Sequence, residues 1–456
     1  MNRKDLYSLP YNEFVRKVES QPGQISFAPI RAKQDLELTR RTISAATLIA
    51  RSSGKNILSE NSARELAAGS MDWGIGFEEG KIVFSVFEGN GASHRGMHTG
   101  GDEVNHQSTR ELLKGYGRLV QPGMSVVVGN KAGDSLSVDR LGIERVAQEN
   151  HAGLIINGDY SELVKQAKIK KRKLYIGNEP VDVVLGDGLI RRLPENDQRQ
   201  YLGGDVDVIV ANGSFLQFTS KEATYTAIKE IVESNSSLAD MLSSLGFKPL
   251  NFDNVTRGDT ESESNFLRSL ARRVKTNIQD WGGAVLKWND SSGSAGMRFF
   301  EDRTTPVNKI YSQIESGIDE LRAKTKNPEV VYHPVTLQQM LNTSSWEHEG
   351  TLRNFDTRVY LTTQNLPTGE VEVIPAFFLF RITPEGSRAA NLSVREDLGG
   401  GVDMSRGHGL YEYSLQRIGE QIGGVHDAQS LLTNLAAVSC VLYTQISNIY
   451  YNRSKV

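Results

Sequence analysis

Cysteine is almost missing from this sequence: among 456 residues there is one, Cys440. No internal disulfide can form, and a reducing, cytoplasmic setting fits that usage. A surplus of charge is missing too. Lys and Arg number 52 against 55 Asp and Glu, a net charge of −3. That balance excludes a bulk attraction to nucleic acid or to an anionic membrane. Long apolar runs are absent. The opening stretch "MNRKDLYSLPYNEFVRK" does not read as a signal peptide. The most apolar late stretch, "LLTNLAAVSCVLYTQI" at 431–446, carries Thr, Asn, Ser and Gln and reads as too short and polar to cross a bilayer. Leu432, Leu435, Val438, Leu442 and Ile446 instead fall at helical spacing, which predicts a core-facing helix. Familiar signatures are lacking as well. "GNKAGDS" at 129–135 does not have P-loop spacing, and "GYG" at 115–117 is no dinucleotide fingerprint. No nucleophile elbow and no cysteine–histidine pattern is visible.

What is present is an ordinary globular composition, 38% hydrophobic and 23% charged, in a chain too long for one core. Periodicity predicts helices over 35–52 and 56–68, then a hairpin in "MDWGIGFEEGKIVFSVFEGNG". From residue 124 strands alternate with helices, which predicts a largely parallel sheet and an α/β middle domain. The helix read from "DYSELVKQAKIKKR" ends in a basic strip, "KQAKIKKRK" at 165–173, taken as a solvated face rather than a nucleic-acid contact. After a polar, turn-rich stretch at 252–265 come a helix, the hairpin "LKWNDSSGSAGMRFF", another helix, strands and a helical end. The whole is α+β. The divisions expected are 1–115, 116–250, 251–310 and 311–456.

Four stretches could carry chemistry. In "AVLKWNDSSGSAGMRFF" Val285 and Lys287 share a strand face, and an ammonium there must snorkel or meet an anion. The loop after it, with Ser291, Ser292, Gly293, Ser294 and Gly296, offers backbone N–H groups for an anion. A surface hairpin with an exposed lysine is the plain alternative. In the earlier hairpin Glu88 and Asn90 point to one face, and Asp72 on the partner strand reaches the same side. Such hard oxygen donors suit Mg²⁺ that also holds phosphates, and solvated strand ends are the alternative. Asp356 and Arg358 share another strand face, Arg381 ends an apolar run, and Asn391, Arg395 and Glu396 follow. Arginines so placed need an anionic partner, from the protein or from a substrate. Finally, His94, His98, Asp102 and His106 are spaced by four. Glycines interrupt them, which disfavours the helix that would make them a zinc site of a metal-dependent hydrolase.

Taken together, the lysine strand, the Ser/Gly loop and an acid-x-Asn pair ending a strand resemble the ATP-grasp ligases. Their order resembles the circularly permuted, glutathionylspermidine-synthetase-like branch, because "FEGN" precedes Lys287 by about two hundred residues. "VDVVLGDG", "VDVIVANGSF" and "LSVRED" are also similar to that branch. The resemblance implies an ATP-grasp fold with ATP and Mg²⁺ as cofactors. Lys287 and an earlier-strand lysine, Lys221, with the loop 291–296 would hold phosphates, and "EVVYHPV" at 329–335 would be the adenine-side strand. Asp72, Glu88 and Asn90 would hold the metal, while Arg358, Arg381 and Arg395 would hold substrate or phosphate. A linear reading puts Asn391 in the metal site instead. The implied reaction joins a carboxylate to an amine, on small-molecule or peptide substrates, through an acyl-phosphate. A scaffold that binds nucleotide or peptide without catalysis is the alternative, and a homo-oligomer is left open.

Overall fold

The computed structural model describes residues 8–10, 13, 17, 36–78, 81–91, 103–130, 138–186, 188–216, 221–288, 296–325, 335–341, 346–348, 351–382 and 425–454. The labelled elements are α1 (Leu36–Ser52), β1 (Ala68–Glu78), β2 (Lys81–Asn90), α2 (Glu103–Arg118), β3 (Ser125–Asn130), α3 (Val138–Glu149), β4 (Leu154–Asp159), β5 (Val183–Val184), β6 (Ile209–Val210) and α4 (Lys221–Ser234). They continue with β7 (Phe252–Val255), α5 (Glu263–Trp281), β8 (Ala284–Trp288), β9 (Arg298–Phe300), α6 (Val307–Thr325), β10 (Val335–Gln339), β11 (Phe355–Asn365), β12 (Val371–Ile382) and α7 (Val425–Ser454).

Three sheets organise these elements. An antiparallel sheet in the order β12-β11-β1-β2 unites strands nearly three hundred residues apart. A second antiparallel sheet runs β7-β10-β8-β9. The third, β4-β3-β5-β6, is parallel, as the strand–helix alternation predicts. The fold is therefore α+β with an α/β middle. The predicted helix near the end of the sequence is α7, and Leu432, Leu435, Val438, Leu442 and Ile446 are all buried against the first sheet. By length and composition its span Asp427–Arg453 could cross a membrane, but 78% of its most apolar window is buried inside the protein. Each such Leu or Val contributes roughly 1.5–3 kcal/mol. Closeness between α7 and the sheet fixes a glycine: a Cβ on Gly69 would lie 1.8 Å from the Tyr443 hydroxyl.

Two expectations change. The helix expected over 56–68 contracts to one turn, Glu60–Ala63. Its flanks are claimed by tertiary bonds: Leu58 N–H donates to Val371 O, Val373 N–H donates to Asn56 O, and Ala68 opens β1. The helix at 160 stops at Gln166, and the basic strip becomes a hairpin, Ala167–Lys170 with Lys173–Ile176. Its alternation explains why. Leu174 and Ile176 turn inward, and the turn residues Lys171 and Arg172 adopt φ values of 48° and 65°. Of the strand expected at 329–335 only Val335 lies among the described residues, where it opens β10; residues 326–334 lie outside them.

One buried acid ties the chain's early part to the first sheet. Glu372, fully buried on β12, accepts from Arg51 Nε at 2.8 Å, Asn56 Nδ2 at 3.1 Å and Gln364 Nε2 at 2.6 Å. Burial alone would raise its carboxyl; the bonds from Arg51, Gln364 and Asn56 outweigh that and hold it below the ordinary value. Its contribution to stability is then present above the ordinary carboxylate range and lost as pH falls through the depressed value. Glu372→Ala should lower unfolding stability by about 2 kcal/mol at pH 7, since two side-chain amides lose their acceptor. Urea titrations at pH 7 and in acid should show the gap between wild type and variant closing as the pH drops.

Candidate functional site

The first and second sheets meet at the outer edge of β2, beyond the point where Phe84 bonds Gly246 and Lys248. On β8, Ala284, Leu286 and Trp288 pack into the core with α5 and α6, so Val285 and Lys287 turn the other way. The register gives Lys287 opposite Thr336 and Val285 opposite Gln338 on β10, so these four share the face that meets β2. Lys287 is only 7% exposed. Its Nζ donates to the backbone carbonyl of Phe87 at 3.1 Å and to the Tyr225 hydroxyl at 2.8 Å. The ammonium also lies 5.6 Å from the Phe87 ring centroid and 5.5 Å from that of Tyr225. Tyr225 in turn bonds Gln338 Oε1 at 2.8 Å and approaches Phe87 O, while Gln338 Nε2 reaches Val86 O at 3.4 Å.

Acidic groups surround this lysine on the other side. Asp72 stands directly opposite Glu88 on one flank and opposite Arg358 on the other, and Ser70 stands opposite Asn90. Arg358 grips Asp72 with two parallel bonds, Nε–Oδ1 at 2.6 Å and Nη2–Oδ2 at 2.8 Å. A bulge between Asp72 and Trp73 shifts the register there. Glu88 is half-buried, and among the described residues it has no hydrogen-bond or ion-pair partner. The Asn90 Nδ2 is buried with no partner among the described residues, while its backbone carbonyl accepts from Tyr443. Asp356 lies opposite Arg381 on β12.

Burial pushes the Lys287 ammonium down to about 7. Glu88 opposes that most, Lys221 reinforces it, and Asp72 and Asp356 oppose it further, so all four act on one point. Burial, then Glu88 and Asp72, raise the Tyr225 phenol, which stays neutral. Burial alone would lower the Arg358 guanidinium, but Asp72 outweighs it and raises it.

The expected residues are thus partly assembled. Asp72, Glu88, Asn90 and Arg358 meet on one sheet face, and Lys287 approaches it from the second sheet. Lys221 joins them from a helix, where the resemblance implied an earlier strand. It opens helix α4 rather than sitting on a strand, and its Nζ donates to Trp288 O at 3.3 Å. Gly296 sits at φ +67°, but its N–H donates to Glu320 at 3.3 Å. A Cβ there would come within 2.7 Å of Gly317 O and 2.8 Å of Leu321, so this glycine also seats the loop's far base on α6. Ser291, Ser292, Gly293, Ser294, Asn391, Arg395, Glu396, His94, His98 and Asp102 lie outside the described residues. Tyr225 and Gln338 were missed. Tyr225 had a signal, one helical turn after Lys221 and therefore on its face; Gln338 had only the alternation of "VTLQQ".

No protein-family model matches the sequence, and no curated protein matches it. Solved structures do. A protein from Methylobacillus flagellatus KT, titled a candidate gamma-glutamylcysteine synthetase, superposes with a TM-score of 0.50 at 13% identity, covering 92% of this chain and 96% of its own. This chain has the ATP-grasp fold. A glutathione synthetase-like effector from Globodera pallida matches at TM-score 0.40 and 11% identity, over 84% of this chain and 82% of its own. D-alanyl-alanine synthetase A from Vibrio cholerae matches at TM-score 0.30 and 12% identity, over 62% of this chain and 73% of its own.

The buried lysine has a thermodynamic signature. Its folded value lies below its unfolded one, so burying it weakens the fold fully below pH 7, and that cost fades as pH rises toward about 10.4. Lys287→Met should therefore gain stability relative to wild type at pH 6, and the difference should shrink by pH 9.5. Urea midpoints measured at both values check this; a difference independent of pH would mean the lysine keeps its ordinary proton affinity.

Proposed function

We propose that the protein is an ATP-dependent carboxylate–amine ligase that forms an amide through an acyl-phosphate, releasing ADP and phosphate. The observation that carries this reading is Lys287, buried between two sheets and acted on by Lys221 and the carboxylates Glu88, Asp72 and Asp356, within the ATP-grasp fold. Two cations beside an acidic face are what a triphosphate with a divalent ion requires. A lone surface hairpin would not bury its lysine.

The residues fit Mg²⁺. Among the described residues Glu88 is a carboxylate without a hydrogen-bond or ion-pair partner, and rotation of the Asn90 amide, whose nitrogen is unsatisfied there, offers an oxygen. Among the described residues there is no group of three or more His, Cys, Asp or Glu that could hold a metal. An ion shared with phosphates needs only one or two carboxylates, so Glu88 and Asn90, with Asp72 alongside, suffice. When bound, the ion would neutralise phosphate charge. Arg358 holds Asp72 in place. Lys287 and Lys221 would meet the phosphates, and the 291–294 loop would cover them and exclude water. Arg381 and Arg395 are left for the substrate carboxylate. The base would lie in a cleft of about 240 Å³ lined by Val86, Tyr225, Phe247, Leu250 and Phe252.

The acid-bearing hairpin 68–90 precedes the lysine strand in the chain yet pairs with β11, which supports a circularly permuted order. A small-molecule or peptide acceptor fits this chemistry. The single buried, free cysteine is compatible with a cytoplasmic setting.

ATP with Mg²⁺ should stabilise the protein thermally, by roughly 2.7 kcal/mol at a hundred times the dissociation constant. Glu88→Gln should keep the fold and lose the Mg²⁺-dependent part of that shift. ADP release across a panel of amino acids, peptides and polyamines should appear in wild type and vanish in Glu88→Gln. Absence of any thermal shift at millimolar ATP, with or without Mg²⁺, would refute the nucleotide site. A shift without ADP release on any acceptor would favour the non-catalytic scaffold.

A further inference from the structure

Tyr225 lines the cleft assigned to the base and also touches the buried lysine. Its hydroxyl accepts from Lys287 Nζ at 2.8 Å and donates to Gln338 Oε1 at 2.8 Å. Gln338 passes the chain on to the edge of β2 through Val86 O at 3.4 Å. The phenol is fixed from the other side as well, with its ring centroid 5.7 Å from that of Phe252. That ring also lines the cleft assigned to the base. A hydroxyl has one proton to give, and two carbonyl oxygens, those of Phe87 and Gln338, compete for it. The arrangement is therefore complete only while Lys287 donates into it. One side chain meets the cation on one hand and the apolar cleft on the other.

We propose that Tyr225 is the positioning residue for Lys287: it holds the ammonium at the β2 edge and makes its placement depend on whether the base cleft is filled. This rests on the nucleotide reading above. Moving Tyr225 when a planar base enters shifts the oxygen on which Lys287 is hung, so the phosphate-binding cation responds to the base. An inorganic polyphosphate, which leaves the cleft empty, gains none of that response. Gln338 acts one step behind, by orienting the Tyr225 hydroxyl.

The test uses the full-length protein and the variant Tyr225→Phe, which keeps the ring and removes only the oxygen. Calorimetric titrations with Mg²⁺–ATP and with Mg²⁺–tripolyphosphate should show ATP affinity falling about tenfold in the variant and tripolyphosphate affinity changing less than twofold. The pH above which ATP binding weakens should also move lower, because the ammonium loses an accepting oxygen. A purely structural role would lower both affinities together and leave that pH in place, and such a result overturns the proposal. Gln338→Leu should show the same pattern at smaller amplitude, which guards against a local packing defect in the first variant. A double-mutant cycle of Lys287→Met with Tyr225→Phe in ligand-free protein, read by urea unfolding, separates the two readings. Coupling of about tenfold in the unfolding constant supports the positioning role. Coupling with no ATP binding in wild type keeps the Lys287–Tyr225 link and sinks the nucleotide reading. ATP binding with no coupling sinks the positioning role alone.

Discussion

Everything around the site depends on one buried ammonium. Lys287 has been taken out of water onto a strand whose neighbours are apolar, and its surroundings follow from making that tolerable. An edge strand, β2, supplies a backbone carbonyl that no further strand uses. A phenol and an amide complete the donor and acceptor chain. Carboxylates gather across the gap without closing on the lysine, because Asp72 is already held by Arg358 and Glu88 stands apart. A fully paired lysine would be a structural ion pair and would have nothing left for a ligand. Partial neutralisation is what leaves this cation available to another anion, and it is where stability and function pull apart.

The facing of the two sheets gives that cation its geometry. The acidic residues come from a hairpin early in the chain, locked to β11 and β12 by long-range pairing. The cations come from β8 and from the first turn of α4. Neither group would meet the other without the packing between sheets, so the site belongs to the tertiary fold rather than to any one motif. The likeness in fold to the Methylobacillus protein at 13% identity is in keeping with this, since sheet geometry outlasts most side chains.

Much of the fold was legible because its periods are clean. The hairpin around Asp72 and Glu88, the parallel middle sheet, and the core face of α7 follow from alternation and helical spacing. Misreadings have physical causes. Residues 56–68 have helical composition, but backbone bonds to β12 claim their start and β1 claims their end. The strip after Gln166 is rich in lysine, which favours helices, yet Ile169, Leu174 and Ile176 alternate as a strand does. Glu88, Asn90 and Lys287 were visible in sequence because each ends or interrupts an apolar run. Tyr225 and Gln338 were not, because their importance lies in what they touch, not in their own local pattern. Lys221 came in through the resemblance, which implied an earlier strand; the first turn of α4 brings its side chain to β8 instead.

The burial of α7 against the first sheet has a consequence for synthesis. That sheet needs strands from residues 68–90 and 355–382, and its apolar face is covered by residues 425–454. As the chain leaves the ribosome, the hairpin that carries Asp72 and Glu88 therefore waits through most of translation for its partner strands β11 and β12 and for α7. The parallel middle sheet and the lysine-bearing sheet, whose strands are closer in sequence, can form in the meantime. The acidic half of the site is thus the last to mature, and a shortened chain that kept every catalytic candidate but lacked α7 would expose a wide apolar surface to its neighbours.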